Sequence, residues 1–215
     1  MYPCHPFLVG RWLNGEQNIS RQLITANGKG TFFWNGKNCK PRFCPDNIIF
    51  LNVRFLDGCI YDEVNVKRVK YAYAQGHMVA SHTWDHKDLT KLTYDQIHDE
   101  FYRVELAFER LLGIKPGFLR PPYGNYNNLV RQVAYERGQK LVTWDFDSGD
   151  STGSTPAQSD AAYDALIDKH PKTILALNHE VYSTFFSLSF SWIAVLNIVS
   201  SMCREYCRVC SPACY

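Results

Sequence analysis

The sequence lacks several patterns that identify common classes of protein. No glycine-rich G-x-G-x-x-G or P-loop sequence stands at a predicted strand-to-helix turn, so nucleotide binding has little support. No long basic run is present and the formal net charge is only +2, so we do not expect a nucleic acid partner. There is no low-complexity tract and no repeat of fixed period. The 215 residues, 46% of them hydrophobic, suffice for one sizeable core.

Cysteine is absent from the middle of the chain. Nothing between Cys59 and Cys203 could be cross-linked, because the eight cysteines lie near the two ends: Cys4, Cys39, Cys44, Cys59, Cys203, Cys207, Cys210 and Cys214. Cysteine usage therefore leaves the redox compartment open. The first residues also lack the basic region and apolar run of a signal peptide, and none is visible in this chain.

Charged residues are absent from residues 181–203. That length could span a bilayer, but the segment contains many serines and its hydrophobicity is marginal. We do not expect membrane association. A membrane-anchored interaction protein is the alternative if the segment does cross a bilayer.

From about residue 60 to 180, helical and extended patterns alternate. Predicted helices cover Asp62–Gln75, Thr93–Leu112, Asn127–Arg137 and Pro156–Lys169, and predicted strands cover His77–Ser81, Gly117–Arg120, Lys140–Trp144 and Thr173–Leu177. This repeated strand, loop and helix pattern predicts an α/β fold with a parallel sheet. Polar clusters follow the predicted strands at their carboxyl ends, where such folds place their chemistry.

The first cluster contains two histidines four residues apart, His82 and His86. On one helical turn, or in a tight turn after a strand, two such side chains can share a metal ion. A pair of packed or surface histidines would give the same pattern. The pair alone is therefore a weak signal.

Three further clusters follow later strands. Arg120 precedes Pro121-Pro122, which fixes the backbone so that the next amide could serve as an oxyanion donor. Residues 145–150 hold three aspartates, and His179 ends the last predicted strand. A solvated loop and a structural histidine are the alternatives, but four clusters at successive strand ends favour an active site.

Together these motifs resemble the polysaccharide deacetylases of the NodB-homology type (carbohydrate esterase family 4), and most closely the fungal chitin deacetylases. The resemblance covers residues 59–182 and a fragment at 19–38, and four of the family's five motifs occur in order: His82-x-x-x-His86, Arg120-Pro121-Pro122-Tyr123-Gly124, Asp147-x-x-Asp150 and Leu175-Ala176-Leu177-Asn178-His179. The fold that this implies is a distorted (β/α) barrel of the polysaccharide deacetylase type, missing its first strand and its last elements.

The resemblance also implies the site and its chemistry. His82 and His86 would bind a divalent metal, which we expect to be zinc, and the Tyr123 backbone amide would help to stabilise the oxyanion. His179 would protonate the leaving amine, with Asp147 as its carboxylate partner by motif position. Arg120 would orient the catalytic base.

The chain departs from the family in three places. The first motif, T-F-D-D-G-P, would supply the base and a third metal ligand near residues 9–10, but no aspartate precedes Asp46. Residues 39–57 interrupt the resemblance, and it ends again after residue 182. We therefore expect a deacetylase domain at 1–182, interrupted at 39–57, and a tail of unknown structure at 183–215. An imperfect prediction of the gene, with a translated intron or a shifted frame, or real divergence into a non-catalytic relative would each explain these breaks.

We accordingly predict metal-dependent hydrolysis of N-acetyl groups from N-acetylglucosamine polymers such as chitin, impaired in this chain by the missing first motif. The alternatives are a catalytically inactive carbohydrate-binding relative and the product of an incorrectly predicted gene of that family. The family implies a secreted or cell-wall protein, and we expect a monomer. Trp84, Tyr123 and Trp144 are candidates to line a sugar groove.

Overall fold

The computed structural model describes residues 19–25, 27–37, 59–171 and 173–179. The chain divides into two compact units, the first comprising 1–32, 75–78 and 144–215 and the second 33–74 and 79–143. The predictions of a missing first strand, of an interruption at 39–57, and of a tail at 183–215 with its uncharged segment lie outside the described residues. Within the described ranges, no helix is long and apolar enough to cross a membrane.

Helices and strands alternate much as the sequence predicts. The helices are α1 Ile19–Thr25, α2 Glu63–Ala74, α3 Tyr94–Leu112, α4 Asn128–Glu136 and α5 Pro156–Ile167. The strands are β1 Thr31–Trp34, β2 Met78–Ser81, β3 Phe118–Leu119, β4 Lys140–Leu141, β5 Phe146–Asp147 and β6 Ala176–Leu177. All four predicted helices after residue 60 are confirmed within two residues at each end. The later strands are shorter than predicted.

The strands form a sheet of four, in the order β1-β2-β3-β4, and a separate pair, β5-β6. Strand β3 runs parallel to both its neighbours, with Leu119 opposite Ser81 on one side and Leu141 on the other. Strand β5 runs parallel to β6, with Asp147 opposite Leu177. The predicted parallel arrangement is confirmed. Because paired strands run in the same direction, their carboxyl ends lie at the same edge of each sheet.

Helix α3 provides much of the core of the second unit. It begins at a capping box in which Thr93 and Gln96 exchange hydrogen bonds, and it ends at Gly113, whose φ of 71° is the left-handed conformation that glycine adopts readily. Its buried stripe, Ile97, Phe101, Val104 and Phe108, is fully inaccessible to solvent, as the helical spacing of these residues predicts. Ile97 and Phe101 pack in a cluster with residues of α4 and β3.

In the first unit, two buried polar side chains organise their surroundings. The His77 ring accepts a hydrogen bond from the Gly30 N–H at Nδ1 (3.1 Å) and lies 2.7 Å from the Ser20 hydroxyl at Nε2. Because Nδ1 accepts, Nε2 carries the proton and donates to Ser20. On α5, Tyr163 is fully buried with its ring 4.6 Å from that of Phe146 on β5. These contacts join α1 to the residue that precedes β2, and α5 to β5.

Candidate active site

The loop that follows β2 carries the two predicted metal ligands. Its backbone is left-handed at Thr83 (φ 65°) and at His86 (φ 55°). For a β-branched residue such as Thr83 this conformation costs about 1–3 kcal/mol, a cost that is typical of functional sites. Hydrogen bonds within the loop offset part of it, since the Thr83 N–H donates to the Ser81 hydroxyl and the His86 N–H donates to the Thr83 hydroxyl (3.3 and 3.2 Å).

The tautomer of His82 follows from its partner. His82 is buried, and its Nδ1 lies 2.6 Å from the carbonyl oxygen of Arg120. A carbonyl can only accept, so Nδ1 carries the proton and Nε2 has a lone pair. This arrangement, with one ring nitrogen donating to a carbonyl and the other able to accept, is usual for histidines that bind metals. The Arg120 guanidinium lies 3.5 Å from the same Nε2.

The two imidazole rings are placed as a pair. The centroids of His82 and His86 are 4.8 Å apart and the rings are nearly perpendicular, at 79°. Two imidazoles that share a tetrahedral zinc ion at about 2.0–2.1 Å would have centroids about 5 Å apart. The spacing of the two rings therefore matches that of two ligands of one divalent ion. In the ranges that the structure describes, no group of three or more His, Cys, Asp or Glu side chains could hold a metal.

Arg120 and Tyr123 lie beside this histidine pair. Arg120 is buried, with its guanidinium 4.9 Å above the Phe33 ring. The Gly124 and Asn125 N–H groups close a tight turn onto the carbonyls of Pro121 and Pro122. Tyr123 occupies the left-handed region in that turn (φ 60°), is 64% exposed, and presents its ring 4.9 Å from that of His86. The second unit thus brings together four of the predicted site residues.

In the first unit, His179 follows β6 and is paired with a carboxylate. Its Nδ1 lies 2.8 Å from Oδ1 of Asp150, and its backbone N–H donates to Oδ2 of the same residue. Asp150 is buried, whereas His179 is partly exposed. The ionised carboxylate can only accept, so the His179 proton sits on Nδ1 in the neutral ring. Nε2 then faces away from the carboxylate.

The sequence predicted Asp147 as the partner of His179, and this pairing is wrong. Asp147 belongs to β5, is exposed, and its Oδ1 accepts a hydrogen bond from the Gly149 N–H (2.8 Å). The carboxylate that the loop turns inward is Asp150, the second acidic residue of the same motif. The motif contained both residues, but the sequence carried no signal for which of them is buried.

A buried tyrosine supports the segment that carries His179. The Tyr163 hydroxyl lies 3.0 Å from Oδ1 and 2.7 Å from Nδ2 of Asn178, which directly precedes the histidine. Burial raises the pKa of Tyr163, so its hydroxyl stays protonated and able to donate. Ser159, also on α5, donates to the carbonyl of Ser148 (2.7 Å). Helix α5 thereby holds both segments of the histidine–aspartate pair, a role that sequence analysis missed.

Trp84 is not available as a sugar-stacking platform. It is only 6% exposed, and the Arg103 guanidinium lies 4.2 Å above its ring. A side chain on Gly36 would collide with the indole, so glycine at that position allows the close packing. The prediction that Trp84 contacts a sugar is therefore wrong, while Tyr123 is exposed as such a contact requires.

Comparison with known proteins identifies the family. The family model described as "Polysaccharide deacetylase" matches residues 14–142, more than half of the chain. Chitin deacetylase 2 of Cryptococcus neoformans (serotype D) is 29% identical over 149 residues, which are 63% of this chain and 32% of that protein. The chain thus spans about a third of the length of that relative.

Solved structures show the same fold. A family 4 carbohydrate esterase from Streptomyces lividans superposes with a TM-score of 0.65 at 20% identity, covering 95% of this chain and 89% of the other. A family 4 pseudoenzyme from Bacillus anthracis gives a TM-score of 0.62 at 16% identity, covering 94% and 60%. The predicted fold class is confirmed. The chain belongs to the polysaccharide deacetylase family and has the α/β fold of the family 4 carbohydrate esterases.

Proposed function

We propose that the described residues serve metal-dependent hydrolysis of N-acetyl groups on N-acetylglucosamine polymers. The observation that supports this most directly is the state of His82, whose Nδ1 donates to a carbonyl and whose ring centroid lies 4.8 Å from that of a second imidazole. That arrangement suits a pair of metal ligands. A divalent ion, zinc by the nature of the ligands, would polarise the acetamide carbonyl and lower the pKa of the attacking water.

The other residues have matching roles in the proposal. The Tyr123 N–H would donate to the oxyanion that develops on the acetamide oxygen. His179, with Nδ1 held by Asp150, would deliver a proton from Nε2 to the amine nitrogen as the carbon–nitrogen bond breaks. Arg120 would orient the general base. The family's first motif would supply that base, and residues 1–45 contain no aspartate.

The substrate class rests on the relatives. Chitin deacetylase 2 is among the proteins similar to this chain, which supports a β-1,4-linked N-acetylglucosamine polymer as the substrate. We also propose a secreted or cell-wall location, as expected for a protein acting on such a polymer, and a monomeric state. The exposed Tyr123 ring beside His86 is the aromatic surface best placed to contact a sugar.

A second candidate function is carbohydrate binding without hydrolysis. It is favoured by one observation: no third metal-ligating side chain joins His82 and His86 among residues 19–25, 27–37, 59–171 and 173–179. Loss of a positioned general base alone lowers a rate by about a hundredfold to ten-thousandfold. We therefore propose that this chain, without changes, has little or no deacetylase activity.

The decisive experiment compares two chains for acetate release from chitin oligomers. The unmodified chain should release none. A restored chain, with Thr-Phe-Asp-Asp-Gly-Pro placed ahead of Asn18 and residues 39–57 deleted, should gain activity that a chelator removes. Robust release by the unmodified chain would show that another residue serves as the base. A restored chain that binds oligomers but stays inactive would favour the binding function.

A further inference from the structure

Helix α3 carries two buried glutamates with different partners. Glu100 and Glu105 are 3% and 4% exposed. A buried carboxylate is costly unless it is paired and hydrogen-bonded, so each must have a compensating environment. Glu105 has it in Arg137, which donates from Nε and Nη2 (2.7 and 2.6 Å), and in Gln139 (2.7 Å). This set joins α3 to the end of α4 and accounts for Glu105 as a structural residue.

Glu100 instead faces the loop that carries the histidine pair. Its Oε2 accepts a hydrogen bond from the Asp85 N–H (2.7 Å), and its Oε1 lies 3.1 Å from Nζ of Lys87. Lys87 also pairs with the Asp85 carboxylate at 2.9 Å, and this hydrogen bond raises the pKa of Lys87. Asp85 and Lys87 are the two neighbours of His86. The Glu100 carboxylate therefore contacts the chain on both sides of that histidine.

The loop has a separate anchor for each half. The Gly36 and Lys37 N–H groups donate to the carbonyls of Thr83 and Trp84 (3.2 and 2.7 Å), which holds the half that follows His82. Glu100 holds the half that contains His86. Because His86 has a left-handed backbone, its ring direction depends on contacts that keep the local chain in that conformation.

We propose that Glu100 is a positioning residue that fixes the backbone at Asp85 and so holds the His86 ring against His82 for metal binding. This inference rests on the proposed function, since it assigns Glu100 a purpose only if the histidine pair binds a metal. It predicts that loss of the carboxylate weakens metal binding although Glu100 is not itself a ligand.

The test compares zinc binding by Glu100→Ala and Glu105→Ala, with calorimetry on the full chain. The two variants remove the same group from the same helix at the same burial. Glu100→Ala should raise the Kd for zinc by about tenfold or more, the effect usual for residues that orient metal ligands. Glu105→Ala should change it by less than about twofold, because separate sites are nearly independent. Glu100→Gln, which keeps an oxygen to accept from Asp85, should restore most of the affinity.

Two further measurements separate positioning from general stability. In the metal-free chain, hydrogen exchange at the Asp85 amide should be fast in Glu100→Ala and slow in wild type, Glu100→Gln and Glu105→Ala. With cobalt in place of zinc, the visible spectrum should change only in Glu100→Ala. If the alanine variant does not fold, Glu100→Met takes its place in all three measurements, because it fills similar space without an acceptor oxygen for the Asp85 N–H.

Each outcome bears on a different statement. Equal zinc affinity or equal Asp85 exchange in Glu100→Ala and Glu105→Ala would overturn the role of Glu100 alone. A wild-type chain that binds neither zinc nor cobalt would overturn the metal site of the proposed function, and this inference with it.

Discussion

His82 and His179 differ in the atom that accepts their Nδ1 proton. In the second unit, Nδ1 of His82 faces the backbone carbonyl of Arg120 at 2.6 Å, in a buried setting. In the first unit, Nδ1 of His179 faces the carboxylate of Asp150 at 2.8 Å, and the histidine is partly exposed. A backbone carbonyl keeps the proton on Nδ1, so that Nε2 is the accepting nitrogen of the neutral ring. A carboxylate can also support a ring that gains and gives up a proton.

The groups around each histidine ring indicate the chemistry that the ring can perform. A ring whose Nδ1 donates to a carbonyl and whose centroid lies close to that of another imidazole is suited to binding a cation. A ring held by a buried aspartate is suited to moving a proton. Both residues follow the carboxyl end of a strand, so position in the fold does not distinguish them. The acceptor at Nδ1 distinguishes them, because it is a carbonyl for His82 and a carboxylate for His179.

The largest expected effect is on metal binding. His82→Ala should abolish the weak zinc binding that two histidines support, because one imidazole alone does not hold the ion. His179→Ala should leave zinc binding unchanged. Calorimetric titration of each chain with zinc measures both. Undiminished zinc in His82→Ala would remove the site from this loop and break the distinction between the two histidines.

The second prediction concerns the hydrogen bonds between His179 and Asp150. Asp150→Asn replaces one of two acceptor oxygens with an N–H donor, while both the ring and the backbone N–H of His179 need an acceptor. In the restored chain, we expect deacetylation to fall by about a hundredfold to ten-thousandfold. Nitrogen-15 NMR of the His179 ring in the unmodified chain should show altered proton occupancy at Nδ1.

Asp147→Asn is the matched control, since Asp147 is exposed and contacts the Gly149 N–H. It should leave the His179 ring spectrum unchanged and deacetylation nearly so. If instead Asp147→Asn has the larger effect, the motif position predicts the partner better than the structure does.

Much of the fold was predictable because local pattern and tertiary packing agree. Helix α3 is long, strongly periodic and capped by Thr93, so its bounds and its buried stripe followed from the sequence. The strands were less predictable. The predicted strand Lys140–Trp144 is only Lys140–Leu141, since pairing with β3 ends there and no local pattern marks that end.

The candidate site was predictable as a set of motifs but not as a set of contacts. Asp147 and Asp150 lie three residues apart in one polar turn, and only the packing of that turn decides which is buried. Trp84 was predicted to face a sugar, but Arg103 covers it. Glu100 gave no signal at all, because a glutamate on a helix is usually a solvated residue.

The third expected effect is on stability in the first unit. Tyr163→Phe removes the hydroxyl that contacts both Asn178 side-chain atoms and leaves buried polar groups without this partner. We expect the free energy of unfolding to fall by about 1–3 kcal/mol. Tyr135→Phe, at a residue 86% exposed, should change it by less than about 0.5 kcal/mol. Equal urea midpoints for the two variants would contradict the supporting role of Tyr163.

The smallest expected effect is on the free energy of unfolding and comes from Asp160 on α5. Unlike Asp150, which pairs with His179, Asp160 has an oxygen without such a partner in the part of the chain that the structure describes. Oδ1 of Asp160 is buried without a hydrogen-bond partner among the described residues. Desolvation, together with the charge of Asp164 one turn later, raises the pKa of Asp160 above its usual value of 3.8. A carboxyl whose pKa is raised by folding favours the folded state below its unfolded pKa. That contribution is lost as pH rises through the higher folded pKa.

Asp160→Asn should therefore stabilise the protein near neutral pH and have no such effect well below pH 3.8. We expect a gain of about 0.2–0.5 kcal/mol, the size of a like-charge pair one helical turn apart, and less at high salt. Asp164→Asn relieves the same repulsion but not the desolvation of Asp160, so its gain should be smaller. Urea unfolding at pH 7 and at low pH measures both. A gain for Asp160→Asn that persists unchanged at low pH would show that the stabilisation does not come from an unpaired charge.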